Sequence, residues 1–436
     1  MSDDAYFESL RAIVQPIPVR DYPKTLEPMI ALLAALGNPQ NEFPAIVVAG
    51  SIGKGTTCYR LAQILYANNL HVGLYTSPHL HSFRERFIIN TAMITKGVFV
   101  EGVAAVRAAA SQLPYRYSTF EMATALAFWW FARNHVHIAV LEIGLGGRFD
   151  AVNTVKNALA VFTPIEMEHA AILGDTLSAI ANHKAGVIQP GGHAISVKQM
   201  ADVQRVLEAE ATLKKASLQL NGARSDRHQG SVLGLAAWQN LRERGLIPQR
   251  PFKYFLETDA LPGRLEQVRI TERDVVLDGA HTPTAAHRLR REIDERFGPN
   301  EPVRIIVGML QDKAVRDFLK VFDVPRYRIV ITQATGHRAL SSATIRAQFQ
   351  PHAAQVEMAA DLNEALSQIH TMPESCLVVT GSLRMVAAAR EAYGLVPAPL
   401  IPEVRMTRTI FEGSEYLVRL RIREESTPSS SSALAQ

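Results

Sequence analysis

An α/β fold organised on a parallel sheet is what this sequence predicts, and three observations predict it. Short β-branched runs recur along the chain, each followed by apolar residues at helical spacing. Several of these runs are apolar throughout rather than alternating, as strands buried on both faces are. The first of them, Ala45 to Ala49, runs into a glycine-rich turn, VVAGSIGKGTT (Val47 to Thr57), after which Leu61, Ile64 and Leu65 mark a helix.

Composition narrows the class. With 436 residues, 47% hydrophobic and 20% charged, the chain has the make-up of a globular protein of two or three domains. A net charge of +4 is spread among scattered Lys, Arg, Asp and Glu, so no basic block marks a nucleic-acid surface, and an anionic small molecule is the expected partner. The start, MSDDAYFESL, lacks an apolar signal region, and the longest largely apolar run, Met122 to Ala132, is short of a membrane span. A cytoplasmic protein without a membrane partner is expected. Cys58 and Cys376 have no metal-like neighbours and read as buried small residues.

The elements come in order along the chain. Thr25 to Leu36 reads as a helix closed by Gly37-Asn38-Pro39. The glycine turn after Ala49 exposes backbone N–H groups at a helix N-terminus, a seat for phosphate, where Lys54 adds a cation and Thr56 and Thr57 add hydroxyls within reach of a metal. ATP is the obvious guest. The spacing differs from the standard Walker pattern, since Gly55 separates Lys54 from the hydroxyls and Val48 stands where a glycine would. His71 to Thr76 is a second strand running into TSPHLHSFRER (Thr76 to Arg86), a polar loop at a sheet's carboxyl edge, where such folds bind ligands. Ser118 to Ala132 is a capped apolar helix whose Trp129, Trp130 and Phe131 belong to the core. His137 to Gly144 is a buried strand carrying Glu142, a carboxylate that needs a partner or a metal there. In the glycine-rich turn after it, Arg148 and Asp150 are within reach of one another. Ala158 to Thr163 is a further strand, with Glu168 and His169 just beyond it, and a helix from Asp175 or Thr176 carries Lys184. From Leu261 onward strands at 275–277, 303–308, 328–332 and 376–380 alternate with helical patterns, giving a second α/β domain.

Eight segments then occur in a telling order: GSIGKGTT, LYTSPHL with FRER, STFEMATALAF, LEIGLGGRFDAVN, ILGDTLSAIANHKAGVIQPG, LPGRLE, VVLDGAHTP and VTGSLRMV. In this order they resemble folylpolyglutamate synthase and dihydrofolate synthase of the Mur ligase superfamily, over most of residues 25 to 390. The resemblance implies a P-loop-type central ATPase domain with a parallel sheet (1–260, shortened after 191), and a smaller C-terminal Rossmann-like domain (261–400) that closes over the nucleotide. It implies an ATP- and Mg²⁺-dependent ligase that forms an acyl phosphate from a folate-type carboxylate and joins it to glutamate. A non-folate carboxylic acid acceptor, or nucleotide binding without turnover, are the alternatives.

The resemblance also carries residue roles. Gly50, Ser51, Gly53, Lys54, Gly55, Thr56 and Thr57 would form the ATP loop, with Arg264 and Asp278 from the second domain. Lys54, Lys184 and His281 would be catalytic. Ser77, Glu142, His169 and Lys184, the last as a carbamate, match the metal ligands; hard oxygen donors suit Mg²⁺, and His169 rests on the resemblance alone. Arg86, Phe120, His281 and Ser382 would line the substrate side, and a monomer or small homo-oligomer is expected. Three departures stand out: Ile52 and Thr282 replace the family's Asn, and Val232 replaces an Asn in RHQGSVLGLA (Arg227 to Ala236), which resembles a helix start near the adenine. The 70 residues between Gly191 and Pro262 are also fewer than the family carries. Residues 401–424 alternate apolar and charged side chains like a β-hairpin turning at Glu412-Gly413-Ser414, and residues 425–436, ESTPSSSSALAQ, read as a disordered tail.

Overall fold

The computed structural model describes residues 3–14, 24–221, 229–249, 261–311 and 313–412. The chain forms two compact units, Met1–His79, Phe83–Phe255 and Arg405–Gln436 in one, Leu80–Ser82 and Leu256–Val404 in the other.

In the first unit α1 (Asp3–Ile13) and α2 (Glu27–Ala35) precede β1 (Ala45–Ala49), which the glycine turn joins to α3 (Lys54–Ala67). There follow β2 (Val72–Tyr75), β3 (Phe87–Ile89), β4 (Ala92–Met93), α4 (Lys96–Ala110), α5 (Thr119–Arg133), β5 (Ile138–Glu142) and β6 (Asn157–Phe162). After these come α6 (Ala170–Leu173), α7 (Leu177–Ala185), β7 (His193–Val197), α8 (Ala201–Leu213), β8 (Ser217–Asn221) and α9 (Gln229–Glu243). Among the described residues the sheet runs β4-β3-β2-β5-β1-β6-β7-β8. It is parallel from β2 to β8, and β3 and β4 add an antiparallel edge.

The apolar runs are explained by burial on both faces. Ala45, Val47 and Ala49 of β1 point into one core with Tyr75, Leu141, Phe162 and the apolar sides of α4 and α5. Ile46 and Val48 point into the other, with Leu61 and Leu65 of α3 and Leu233 and Trp238 of α9. Each large apolar side chain so buried contributes about 1.5–3 kcal/mol, and the alternation makes the register costly to slip. Phe131 is fully buried and Trp130 nearly so, in the core as the pattern predicts. Helix α5 starts at a capping box in which Ser118 and Glu121 exchange hydrogen bonds, and Thr176 caps α7 by accepting from the Ala179 amide.

The second unit holds β9 (Glu266–Ile270), β10 (Arg273–Leu277), α10 (Pro283–Phe297), β11 (Val303–Val307), α11 (Val315–Lys320), β12 (Tyr327–Ile331) and α12 (Ser342–Gln348). It continues with β13 (Gln355–Met358), α13 (Leu362–Ser367), β14 (Cys376–Thr380) and α14 (Leu383–Ala392). Its sheet, β13-β12-β11-β14-β10-β9, is parallel except for the β9–β10 hairpin. Separate cores lie on its two faces. Cys58 and Cys376 are free and buried, one in each unit.

The hairpin expected over 401–424 is corrected: residues 401–412 are helical and form α15. The alternating letters misled because burial follows another period, with Glu403, Val404, Thr407 and Ile410 buried at spacings of one helical turn. The remainder of that segment, the 425–436 tail, and Arg227 and His228 lie outside the described residues. No described helix is long and apolar enough to cross a membrane.

Candidate active site

Four parallel strands, β2, β5, β1 and β6, end side by side, and the segments just beyond their carboxyl ends carry the expected chemistry. After β1, Gly50 has φ 146°, and a Cβ there would lie 1.9 Å from the Thr163 hydroxyl, so only glycine lets the loop pass. Gly53, in the left-handed region, sets the start of α3 without a side-chain cap, leaving the first amides of α3 to a ligand. The Lys54 ammonium folds back over the loop and donates to the Gly50 carbonyl at 3.0 Å.

Part of the loop is tied to the segment after β6. The amides of Ser51 and Ile52 donate to the Pro164 carbonyl at 2.8 and 3.3 Å. The Ser51 hydroxyl donates to the Glu166 carbonyl and accepts from the Glu166 amide at 3.1 and 3.0 Å. Ser51, expected in the ATP loop, therefore clips that loop in place, while the first amides of α3 lie beyond it at the helix N-terminus. Ile52, where the family has Asn, is held by its backbone amide and brings no side-chain polar group to the loop.

Lys184 is 1% exposed and reaches the same loop from α7. Its ammonium donates to the Gly50 carbonyl at 2.8 Å and to Glu168 at 2.7 Å. Burial pushes the amine down to about 8, with Glu168 resisting and Lys54 adding to the fall. Burial raises the Glu168 carboxyl, but Lys184 and Lys54 outweigh it and hold the group below the usual range. Glu168 is the residue the sequence pointed at without assigning; its position just past a parallel strand was the available signal.

Glu142, at the end of β5, is 4% exposed and accepts from the Ser77 amide at 2.9 Å. A Cβ built on Gly55 would come 3.4 Å from the same carboxylate, which sets Glu142 against the first turn of α3. A buried carboxylate bonded to the Ser77 amide offers hard oxygen of the kind Mg²⁺ takes, and Ser77 itself brings a hydroxyl. His169 is exposed at the start of α6, and among the described residues no three His, Cys, Asp or Glu side chains gather into a cation site.

Arg86 and Phe120 meet through Tyr75. The Phe120 ring lies 5.9 Å from that of Tyr75, and burial raises the phenol to about 12, while the Arg86 guanidinium, hydrogen-bonded to it, opposes the rise. Arg86 is buried, and the charge of Glu142 reaches it. Tyr75 lies in the LYTSPHL segment but was given no role; its place at the last position of β2 is what joins the two. Phe120 also packs on Gly144, where a Cβ would fall 2.6 Å from its ring. The pairing of Arg148 with Asp150 is corrected. Arg148 pairs with Glu210 at 3.0 Å, whereas Asp150 turns inward and accepts the amides of Gly144, Leu145 and Val152 at 3.0, 2.9 and 3.0 Å. Asp150 is thus the staple of the GLGGRFD loop.

In the second unit the PGRLE and DGAHTP loops are knitted by Asp278, whose oxygens accept the amides of Leu265 and Ala280 at 2.8 and 2.9 Å. The Gly279 amide donates to the Gly263 carbonyl at 3.0 Å, and Arg264 lies against Gly279. His281 places Nδ1 2.8 Å from the Gly279 carbonyl, so Nδ1 carries the proton. Burial pushes this imidazole down, leaving Nε2 as an acceptor at neutral pH. Ser382 is 2% exposed, caps α14 through the Met385 amide and contacts the Gly308 carbonyl at 3.3 Å. Asp278 and Ser382 therefore shape the loops they sit on. Thr282 caps α10 through the Ala285 amide, the work an Asn would do. Val232 is the fourth residue of α9, at the end of its first turn.

Residues 263–383 match the Mur ligase, glutamate ligase domain family. Fold and site together define an ATP-using ligase of the Mur type, with a phosphate loop on a parallel sheet and a separate α/β ligase unit. Over 414 residues the chain is 30% identical to the folylpolyglutamate synthase of Lacticaseibacillus casei, covering 83% of this chain and 93% of that protein. It belongs to the folylpolyglutamate synthase and dihydrofolate synthase family. The crystal structure of folylpolyglutamate synthase from Thermotoga maritima superposes with a TM-score of 0.76 at 26% identity, over 92% of this chain and 99% of that one. The Mycobacterium tuberculosis folylpolyglutamate synthase complexed with ADP and AMPPCP superposes with a TM-score of 0.76, also at 26% identity, over 90% and 99%.

Proposed function

We propose that this chain joins L-glutamate to the carboxylate of a folate-type acceptor at the expense of ATP. An acceptor oxygen attacks the γ-phosphorus, ADP departs, and the glutamate nitrogen then attacks the acyl carbon, expelling phosphate and losing its proton. The observation that carries this reading is the convergence of the glycine loop, Lys54, Glu142 and the Lys184–Glu168 pair at the ends of β1, β5 and β6.

The amides from Gly53 to Thr56 and the Lys54 ammonium hold the triphosphate. Glu142 and Ser77, with His169 and a carbamylated Lys184, are the proposed Mg²⁺ ligands; when bound, the ion offsets phosphate charge that would repel the acceptor carboxylate. Arg86 receives the acceptor's carboxylate side and Phe120 its ring. Arg264 and His281 are the proposed contacts to ATP phosphate or the acyl phosphate. A compartment supplying ATP and Mg²⁺, the cytoplasm, suits this chemistry.

The test is incubation of the purified chain with ATP, Mg²⁺, glutamate and either dihydropteroate or tetrahydrofolate, followed by mass spectrometry. Glutamate-dependent ADP release and a glutamyl mass gain on the pteridine are expected. Release only with another acid moves the acceptor outside the folates, and nucleotide binding without release under any acceptor removes the ligase reading. Lys54→Ala should abolish turnover while leaving the melting temperature near that of the parent.

A further inference from the structure

The last described helix, α15, has no role in the site so far, yet its end touches the loop that carries Arg86. The Phe411 ring stacks on Phe83 with centroids 5.6 Å apart and planes at 30°, and lies 5.0 Å from the His79 ring. His79 and Phe83 are themselves 5.5 Å apart, edge to face, so the three rings close a triangle. Arg86 rests on two of its corners: the guanidinium carbon is 4.8 Å above Phe83, and Nε donates to His79 Nδ1 at 3.2 Å. Phe411 thus touches both side chains that hold Arg86.

We propose that Phe411 is a positioning residue for the acceptor side of the reaction, its ring fixing the rotamers of His79 and Phe83 and through them the Arg86 guanidinium. This deepens the proposed function and rests on Arg86 receiving the acceptor. The physical need is clear. A long guanidinium side chain loses much rotamer freedom when held in one pose, and stacking on preset rings lowers what must be lost on binding. The alternation that resembled a hairpin concealed this, because Phe411 reaches the loop only when 401–412 is a helix.

Two readouts on the full chain test it. In steady-state kinetics Phe411→Ala should raise KM for the folate acceptor about tenfold or more, the order expected when a positioning group shifts, with KM for ATP unchanged. Phe411→Tyr, which keeps the ring, should behave as the parent. On an Arg86→Ala background Phe411→Ala should add little, since both act on one contact. The second readout needs no turnover: phenylglyoxal labelling of Arg86 in the unliganded protein, followed by peptide mass spectrometry, should be several-fold faster in Phe411→Ala and in Phe411→Leu than in Phe411→Tyr. Equal labelling rates overturn the positioning role, as does an unchanged acceptor KM or an equal rise in KM for ATP. If the parent turns over no folate acceptor, the functional reading fails, and the labelling rates still decide whether Phe411 holds Arg86.

Discussion

Two residues of the first unit carry ionisation states that their surroundings set, and each yields a test. Lys184 is enclosed, and burial lowers its amine to about 8, which favours the neutral form that can attack CO₂. Carbamylation would give N–C bond formation with loss of a proton, turning a cation beside Glu168 into an anion beside a metal. With ¹³C-bicarbonate at pH 8 the parent should show a carbamate resonance that Lys184→Arg lacks; no such signal would remove the carbamate from the site. Asp150 is the other case. Burial pushes its carboxyl up to about 7, against three backbone amides and Lys54 that favour the ion. The folded state therefore holds its proton more tightly than the unfolded chain, so stability falls as pH rises from the ordinary carboxylate range to about 7 and then levels off. Asp150→Asn cannot ionise. Its melting temperature relative to the parent should rise across that window, and a difference that stays flat with pH would refute the shift.

At the scale of elements, the ends of the strands were legible and the contacts between loops were not. The continuous apolar run of β5 announced a buried parallel strand, and Glu142 within it announced a partner, because a carboxylate there is costly alone. Glu168 was visible beside His169, yet no periodicity says that α7 would bring Lys184 back across 134 residues to the Gly50 carbonyl. The β3–β4 edge and α15 were missed since runs of two or three residues, and an amphipathic segment whose letters fit two periods, do not declare themselves. Gly147 shows the same limit. It holds φ 156°, and a Cβ there would meet the His183 carbonyl at 2.8 Å and the Lys184 Cα at 3.0 Å, backbone atoms that cannot turn aside. Gly147→Ala should then cost about 2–3 kcal/mol by strain and overpacking and displace Lys184. Gly191, with φ 64° and open space around it, supplies the contrast. Its alanine variant should cost about 1 kcal/mol, the backbone term alone. Urea unfolding compares them, and equal losses would mean that the loop against α7 yields freely.

For the whole molecule, the division into two units with separate cores sets what a single substitution can reach. At the amino ends of the second unit's strands, Arg304 and Glu374 form a buried pair at 3.1 Å, each side chain 5% exposed, with Arg328 3.5 Å from the other carboxylate oxygen. Their site is the edge of the sheet opposite the Asp278 and Ser382 loops, so their loss bears on stability rather than on chemistry. Removing the carboxylate leaves Arg304 buried without its closest counter-charge, which costs about 3–5 kcal/mol for pairs of this kind. All three tryptophans, Trp129, Trp130 and Trp238, belong to the first unit, whereas far-ultraviolet circular dichroism reports helices and strands of both. In Glu374→Ala, denaturant unfolding followed by circular dichroism should gain an early phase from the second unit, while the tryptophan transition keeps the midpoint of the parent. A tryptophan midpoint that moves together with the dichroism would instead mean that the chain unfolds as one cooperative body, and that a defect in either unit is felt at the phosphate loop.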